Sequence, residues 1–288
     1  MLGINTNAAS LNAQKNLSVS GSTLNQSINR LSSGLRVNSA KDDAAGLAIA
    51  ERMTAQIRGF DVAGRNANDG ISALQVADGS LGKLSDNLQR MRELAVQAKN
   101  GTLNATDRLN LDREYNSLSE ELGHIAIGAN FNGNPLFTAA NQSLSFQVGT
   151  GNAAEDTLTL NLTDDGTAGG SDLQTLLGGT TTAAIQTAFG DITTDENAGT
   201  ALGVIDTAID NITNIRASVG AGQSRLEQVI EFTDTQVTNL SAARGRIMDA
   251  DFAKETANLT RSQILQQAGT AMLSQANQLP QNVLSLLQ

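Results

Sequence analysis

One histidine, His124, and no cysteine occur in the 288 residues. The side chains that most often serve as general base, nucleophile or soft metal ligand are therefore nearly absent. His124 falls on a helix flank, where a solvated or packing imidazole is the ordinary outcome. No Ser–His–Asp set, HExxH pair or phosphate-cradling glycine loop can be assembled. Glu120-Glu121 is an acidic pair whose simplest use is solvation of a helix surface. The scattered Asn-x-Ser/Thr triplets carry little in a chain this rich in Asn, Ser and Thr. The chain reads as a non-enzyme with no cofactor and no metal.

Unusual chemistry lies instead at the end of the chain. From Ser262 to Gln288 there is no Lys, Arg, Asp or Glu. Wound at about 100° per residue, Gln263, Gln266, Gln267, Thr270, Ser274, Asn277, Gln278 and Gln281 fall within roughly one third of the circumference. Ile264, Leu265, Ala268, Ala271, Met272, Ala276 and Leu279 fill most of the rest, with Gln275 the polar exception. A surface helix ordinarily carries Lys and Glu on its outer face. A neutral polar face beside so wide an apolar one suits a helix covered by other chains or lining a narrow wet space. The other terminus is similar, since Lys15 is the only charged side chain from Met1 to Asn29. Two such ends can pair, yet one pair of helices cannot cover all that apolar surface, so neighbouring copies are expected to complete it.

Composition narrows the classes further. With seven Phe, one Tyr and no Trp, the apolar content comes from aliphatic residues, which suits slender helical packing. Proline occurs only at 135 and 280, so long helices are permitted. Residues 131–210 hold ten acidic and no basic side chains, which accounts for the whole net charge of −10. An acidic middle between balanced flanks argues against nucleic acid as a partner. No run of about 18 apolar residues exists to span a membrane as a helix. Met1-Leu2-Gly3-Ile4-Asn5 lacks the basic start and apolar core of a signal peptide, so any export is expected to use a route without a cleaved signal.

Periodicity supplies the elements. Leu17, Leu24, Ile28, Leu31 and Leu35 predict a first helix from near 6 to about 33. Ser39-Ala-Lys-Asp42 resembles a capping box opening the next. Met53, Phe60, Ala67, Leu74, Leu81, Leu88 and Ala95 recur every seven residues, interleaved with Ile49, Ala63, Gly70, Ala77, Leu84, Met91 and Ala98. Asn68-Asp69-Gly70 is ordinarily a turn. The register passes through it unbroken, so one helix is predicted from about 42 to 99. Another runs from 106 to about 128. Leu144, Phe146 and Val148 alternate with polar residues, as do Leu158, Leu160 and Leu162, which predicts a β-hairpin. Residues 163–200 read as an exposed excursion with short helices near 172–178 and 182–189. A return helix follows from about 200 to 248, and Asp249-Ala-Asp251 leads into the terminal one. The fold class is mainly α: a long antiparallel coiled-coil helical bundle with paired termini, a β-hairpin and a short outer α/β excursion. The expected domains are 1–41 plus 249–288 (inner), 42–165 plus 200–248 (helical bundle with hairpin) and 166–199 (outer, variable).

Several runs carry a family resemblance. They include Ile4-Asn-Thr-Asn7, Arg30-Leu-Ser-Ser-Gly-Leu-Arg36, Asn38-Ser-Ala-Lys-Asp-Asp-Ala-Ala-Gly46 and Arg65-Asn-Ala-Asn-Asp-Gly-Ile71. Others are Leu88-Gln-Arg-Met-Arg-Glu-Leu-Ala-Val-Gln97, Phe131-Asn-Gly133, Ala243-Arg244, Ile264-Leu-Gln-Gln-Ala-Gly269 and Pro280-Gln-Asn-Val-Leu-Ser-Leu-Leu287. Over 1–137 and about 200–288 the chain resembles the bacterial flagellins. The resemblance implies a secreted subunit that self-assembles into the helical filament of the extracellular flagellum for swimming. It further implies export unfolded through the flagellar type III apparatus, with an export chaperone, a filament cap and hook-junction proteins as partners. In that family the termini form an inner coiled coil around a channel. Leu17, Leu24, Ile28, Leu31, Ile264, Leu265, Met272 and Leu279 would then lock the inner core, and the amide face named above would border the channel.

Gln89, Arg90, Glu93 and Leu94 lie beside the Leu88/Met91 seam and are expected to face away from it, as a salt-tuned face against the next subunit. By resemblance these positions, with Glu114, also contact the animal Toll-like receptor that senses flagellin. A hook–filament junction protein is an alternative within the same class, and a secreted ligand or adhesin acting as a monomer is one outside it. The monomeric alternative requires termini ordered in dilute solution. The filament reading requires termini that gain order on assembly.

Overall fold

The computed structural model describes residues 7–137, 143–161, 177, 179 and 181–285, with the side chains of 161 and 279–285 left aside. Leu279 and Gln281 as site residues, Leu162 of the hairpin and nearly all of the helix expected at 172–178 therefore lie outside the described residues. In chain order the elements are α1 (Ala8–Ser33), α2 (Ala44–Ala98), α3 (Ala105–Gly128), β1 (Asn130–Phe131), β2 (Asn134–Pro135), β3 (Ser143–Gln147), β4 (Thr157–Asn161), α4 (Thr182–Phe189), α5 (Asp195–Met248) and α6 (Phe252–Ser285). The fold is mainly helical, as expected. The chain divides into two compact units, Met1–Ile57 with Thr238–Gln288, and Arg58–Val237, so the division falls inside α2 and α5.

In the first unit, the Asn7 side chain caps α1 by accepting from the Ser10 N–H at 3.1 Å. Gly34 ends the helix with φ 72°, a left-handed conformation that costs glycine nothing. The crossing is stitched by backbone bonds: Arg36 N–H donates to the Met248 carbonyl at 2.6 Å and Ala250 N–H to Gly34 at 2.9 Å. The start of α2 differs from the capping box read at Ser39. Asp43 accepts from the Gly46 N–H at 2.8 Å and caps the helix. Asp42 turns back to accept from Ser39 Oγ and from the N–H groups of Asn38 and Ser39. Those bonds, led by the Ser39 hydroxyl, hold the Asp42 carboxyl below the usual carboxylate range.

In the second unit α2 runs unbroken through Asn68-Asp69-Gly70. Asn68 spends its amide on the Gly64 carbonyl one turn back, at 2.8 Å. Gly70 is there for space: a Cβ would lie 3.0 Å from Leu226 Cδ1 and 3.1 Å from the Phe146 ring. Gly222 on α5 does the same for Leu160, at 3.0 Å. These two gaps seat the hairpin formed by β3 and β4, whose register pairs Leu144 with Leu160 and Phe146 with Leu158 on one face. The seven-residue seam is fully buried from Ala63 to Ala98. Nearer its start, Phe60 is half-buried and meets the exposed Phe232 edge-on at 6.3 Å. In the first unit, Met53 is likewise half-buried and Ile49 is exposed. Thr233, the gap in the return-helix stripe, is buried with its hydroxyl bonded to the Ile230 carbonyl at 2.8 Å.

The excursion expected after 163 is exposed only in part. Leu177, Ile185, Phe189 and Ile192 all belong to the core. Helix α4 matches its expected span and packs against α3. Two polar contacts hold the segment there, and a third, within α3, orients the Asp112 carboxylate. Tyr115 Oη donates to the Phe189 carbonyl at 3.0 Å, Ile192 N–H donates to Asp112 Oδ1 at 2.9 Å, and Asn116 donates to the other Asp112 oxygen at 2.8 Å. Burial keeps the Tyr115 hydroxyl protonated well above its ordinary range.

Leu at Gly222 should overpack the hairpin seat and cost about 1–3 kcal/mol. Gly220→Ala, with nothing within 4 Å of its Cβ position, should be neutral or stabilising by roughly 0.5–1 kcal/mol. Urea unfolding of the full chain compares them, and equal shifts would contradict the seat. Tyr115→Phe should cost about 1–3 kcal/mol by orphaning a buried carbonyl, with faster proteolysis of 177–194 as the local readout.

Candidate assembly surfaces

Helices α1 and α6 pair antiparallel, held at one end by Asn7 Nδ2 to the Ala276 carbonyl and Ser10 Oγ to Asn277 Oδ1, each at 2.8 Å. At the other end Arg30 Nη1 meets Glu255 Oε1 at 3.2 Å, and the Glu255 side chain keeps only 9% of its surface exposed. Between them Leu17 reaches Gly269, where a Cβ would sit 3.2 Å from its Cδ1. The α6 side of the seam is a seven-residue series of Glu255, Ser262, Gly269 and Ala276. Glu255, Ser262 and Ala276 are buried, and Gly269 is half-buried. Small residues let the helix axes approach closely.

Apart from Ala276, the pairing uses residues outside the apolar set read in the sequence. Helix α6 has three sectors. One, of small residues, touches α1. A second carries Gln263, Gln266, Gln267, Thr270, Ser274, Asn277 and Gln278, all exposed. The third carries Ile264, Leu265 and Met272, which remain 60%, 51% and 63% exposed. On α1, Leu17, Leu24 and Leu31 are half-buried, while Ile28 is exposed, as are Leu11 and Val19. Asn277 departs from a purely solvent-facing assignment, since it also accepts from Ser10. Along the edge of the pair, Leu17, Leu265, Ala268, Gly269 and Met272 line an open groove of about 340 Å³.

In the second unit the Arg90 guanidinium binds Glu114 Oε1 through Nε and Nη2 at 2.9 and 2.8 Å, and Glu93 Oε2 through Nη1 at 2.8 Å. These bonds, Glu93 first and Glu114 next, push the Arg90 pKa further up. Gln89 is exposed beside them. Leu94 corrects the sequence reading: it is 1% exposed and belongs to the core. Its neighbour Ala95 occupies the heptad position, and both are buried because α2 is packed on two sides. A single heptad stripe carries no mark of burial on a second side of the helix.

His124 is exposed and 3.9 Å from Glu120. Among the described residues no group of three His, Asp or Glu side chains could hold a metal, and no helix is long and apolar enough to cross a membrane.

The bacterial flagellin N-terminal helical region matches residues 4–142, and the bacterial flagellin C-terminal helical region matches 202–287. A flagellin of Halalkalibacterium halodurans is 43% identical over 286 residues, covering 99% of each chain. The flagellar filament 33 kDa core protein of Treponema phagedenis is 41% identical over 291 residues, again with 99% of each covered. A crystal structure of Bacillus cereus flagellin is 35% identical with a TM-score of 0.49, covering 62% of this chain and 94% of that one.

Leu94→Ala should destabilise the chain by about 2–5 kcal/mol, whereas Arg90→Ala, Glu93→Ala and Glu114→Ala should leave the melting temperature nearly unchanged. Thermal unfolding of the four variants checks the split between core and surface.

Proposed function

This chain belongs to the bacterial flagellin family, and from that premise we propose how it works as the structural subunit of the flagellar filament, a homo-oligomer outside the cell. The observation that carries the reading is the uncovered sector of α6. Ile264, Leu265 and Met272 stay more than half exposed on a helix segment without a single charged side chain. Covering such side chains is worth about 1–2 kcal/mol each. Leu11, Val19 and Ile28 on α1 add more of the same surface. A neighbouring copy supplies the cover, so the paired ends, 1–41 with 249–288, form the inner core of the assembly.

The amide face then has a place on the opposite side of α6, toward the axis. A conduit for unfolded chains works best with walls that neither trap charges nor grip apolar segments, and Gln, Asn, Ser and Thr meet both requirements. The 42–165 and 200–248 segments form a bundle domain, and Leu177, Ile185, Phe189 and Ile192 of the 166–199 stretch join its core. The Arg90–Glu93–Glu114 cluster, with Gln89, is the exposed face that packs against the next subunit. In the free subunit it is open to a Toll-like receptor of the animal host. Leu94 supports that face from beneath. Export through the type III apparatus, a chaperone, a filament cap and hook-junction proteins complete the proposed partners.

A chain lacking 262–288 should remain folded over 58–237 yet form no filaments after seeding, as judged by electron microscopy beside the full chain. Filaments of normal abundance from the truncated chain would refute the assignment of α6 to the inner core.

A further inference from the structure

The three large side chains on the uncovered sector of α6 differ in one chemical respect: Met272 alone carries a thioether. It is 63% exposed, whereas Met91 is fully buried and Met53 and Met248 are half-buried. Met272 also lines the groove beside Leu17, Leu265 and Gly269, at the edge of the α1–α6 seam. Exposure governs how readily a methionine sulfur is oxidised, and the product is a polar, chiral sulfoxide in place of an apolar chain. We propose that Met272 is an oxidation site that governs entry of the subunit into the filament, with a hydroperoxide as the oxidant. The proposal rests on the reading that this sector is covered by a second copy.

The step is a two-electron oxidation. The Met272 sulfur attacks one oxygen of the hydroperoxide, a sulfur–oxygen bond forms and the oxygen–oxygen bond breaks. The departing oxygen takes the proton and leaves as an alcohol, or as water when the oxidant is hydrogen peroxide. The sulfoxide oxygen is a strong acceptor placed among Leu265, Ala268 and Leu17. A neighbouring copy that seats its own apolar side chains there buries that acceptor at a cost. The free subunit is thus sensitive to peroxide, while a subunit already in the filament has its sulfur shielded.

Subunit and seeded filaments are treated with graded hydrogen peroxide and mapped by peptide mass spectrometry, and the treated subunit is assayed for seeded growth. In the free subunit Met272 should convert at least about tenfold faster than Met91, and in the filament its rate should fall toward that of Met91. Conversion should raise the concentration needed for growth by about tenfold or more. Met272→Leu should abolish the peroxide effect, and Met272→Gln should reproduce it without peroxide. Growth of oxidised wild-type subunit at the untreated rate overturns the proposal, as does an undiminished peroxide effect in the Met272→Leu subunit. Equal conversion of Met272 in subunit and filament instead overturns the burial assigned to this sector, a failure that the Leu comparison would not produce.

Discussion

Two helices can bury no more than the strips along which they touch, and that limit governs the first unit. Helix α6 gives α1 a narrow strip of Ser262, Gly269 and Ala276. Ile264, Leu265 and Met272 are left on another sector, more than half exposed. A chain meant to remain a monomer would turn Leu265 and Met272 into the seam and put charge on the outside. Here the small residues face inward and the outside is uncharged. A lone molecule is therefore poorly served at its ends, and stacked copies are well served.

The second unit is built on the opposite plan. Helices α2, α3 and α5, the β3–β4 hairpin and α4 close one continuous core, in which Leu74, Leu81, Leu84, Leu88 and Ile205 have no exposed surface. Two glycines admit the hairpin, and Asp112 and Tyr115 secure the segment around α4 through buried hydrogen bonds. Such bonds give direction as well as energy, since a misplaced strap would leave one carboxylate oxygen and a phenol unpaired. A self-sufficient unit can keep its shape whether or not neighbours are present.

Much of this was legible in the residues because heptad spacing is a long-range signal. The register of α2 survives Asn68-Asp69-Gly70, and a helix can absorb that triplet when Asn68 bonds back to Gly64 and Gly70 faces a bulky neighbour. The ends of α1 and α3, the C-terminal end of α5 and the span of α4 follow from caps and glycines that act locally, whereas α5 begins at Asp195, before the expected start near 200. Three features were hidden. Leu94 lies outside the main stripe, and burial on a second side of a helix leaves a weaker periodicity. Ile185, Phe189 and Ile192 stand at helical spacing, but with Leu177 they are too few, among too many polar residues, to announce a core segment. The inward strip of α6 is made of small and polar residues that look neutral on any hydropathy scale, so apolar periodicity does not mark it as the seam with α1.

The ion pair at the closed end of the α1–α6 seam has a consequence for how the two ends find each other. Ser262, Gly269 and Ala276 repeat every seven residues, and Leu17, Leu24 and Leu31 repeat likewise on α1. A slide of one helix past the other by two turns would present nearly the same shapes, and packing alone would barely notice. Arg30 and Glu255 break that degeneracy, because the slid arrangement strands a carboxylate that is nine-tenths buried. Their attraction is a tooth in a ratchet: it adds little to the strength of the join, but it sets which notch the ends stop at.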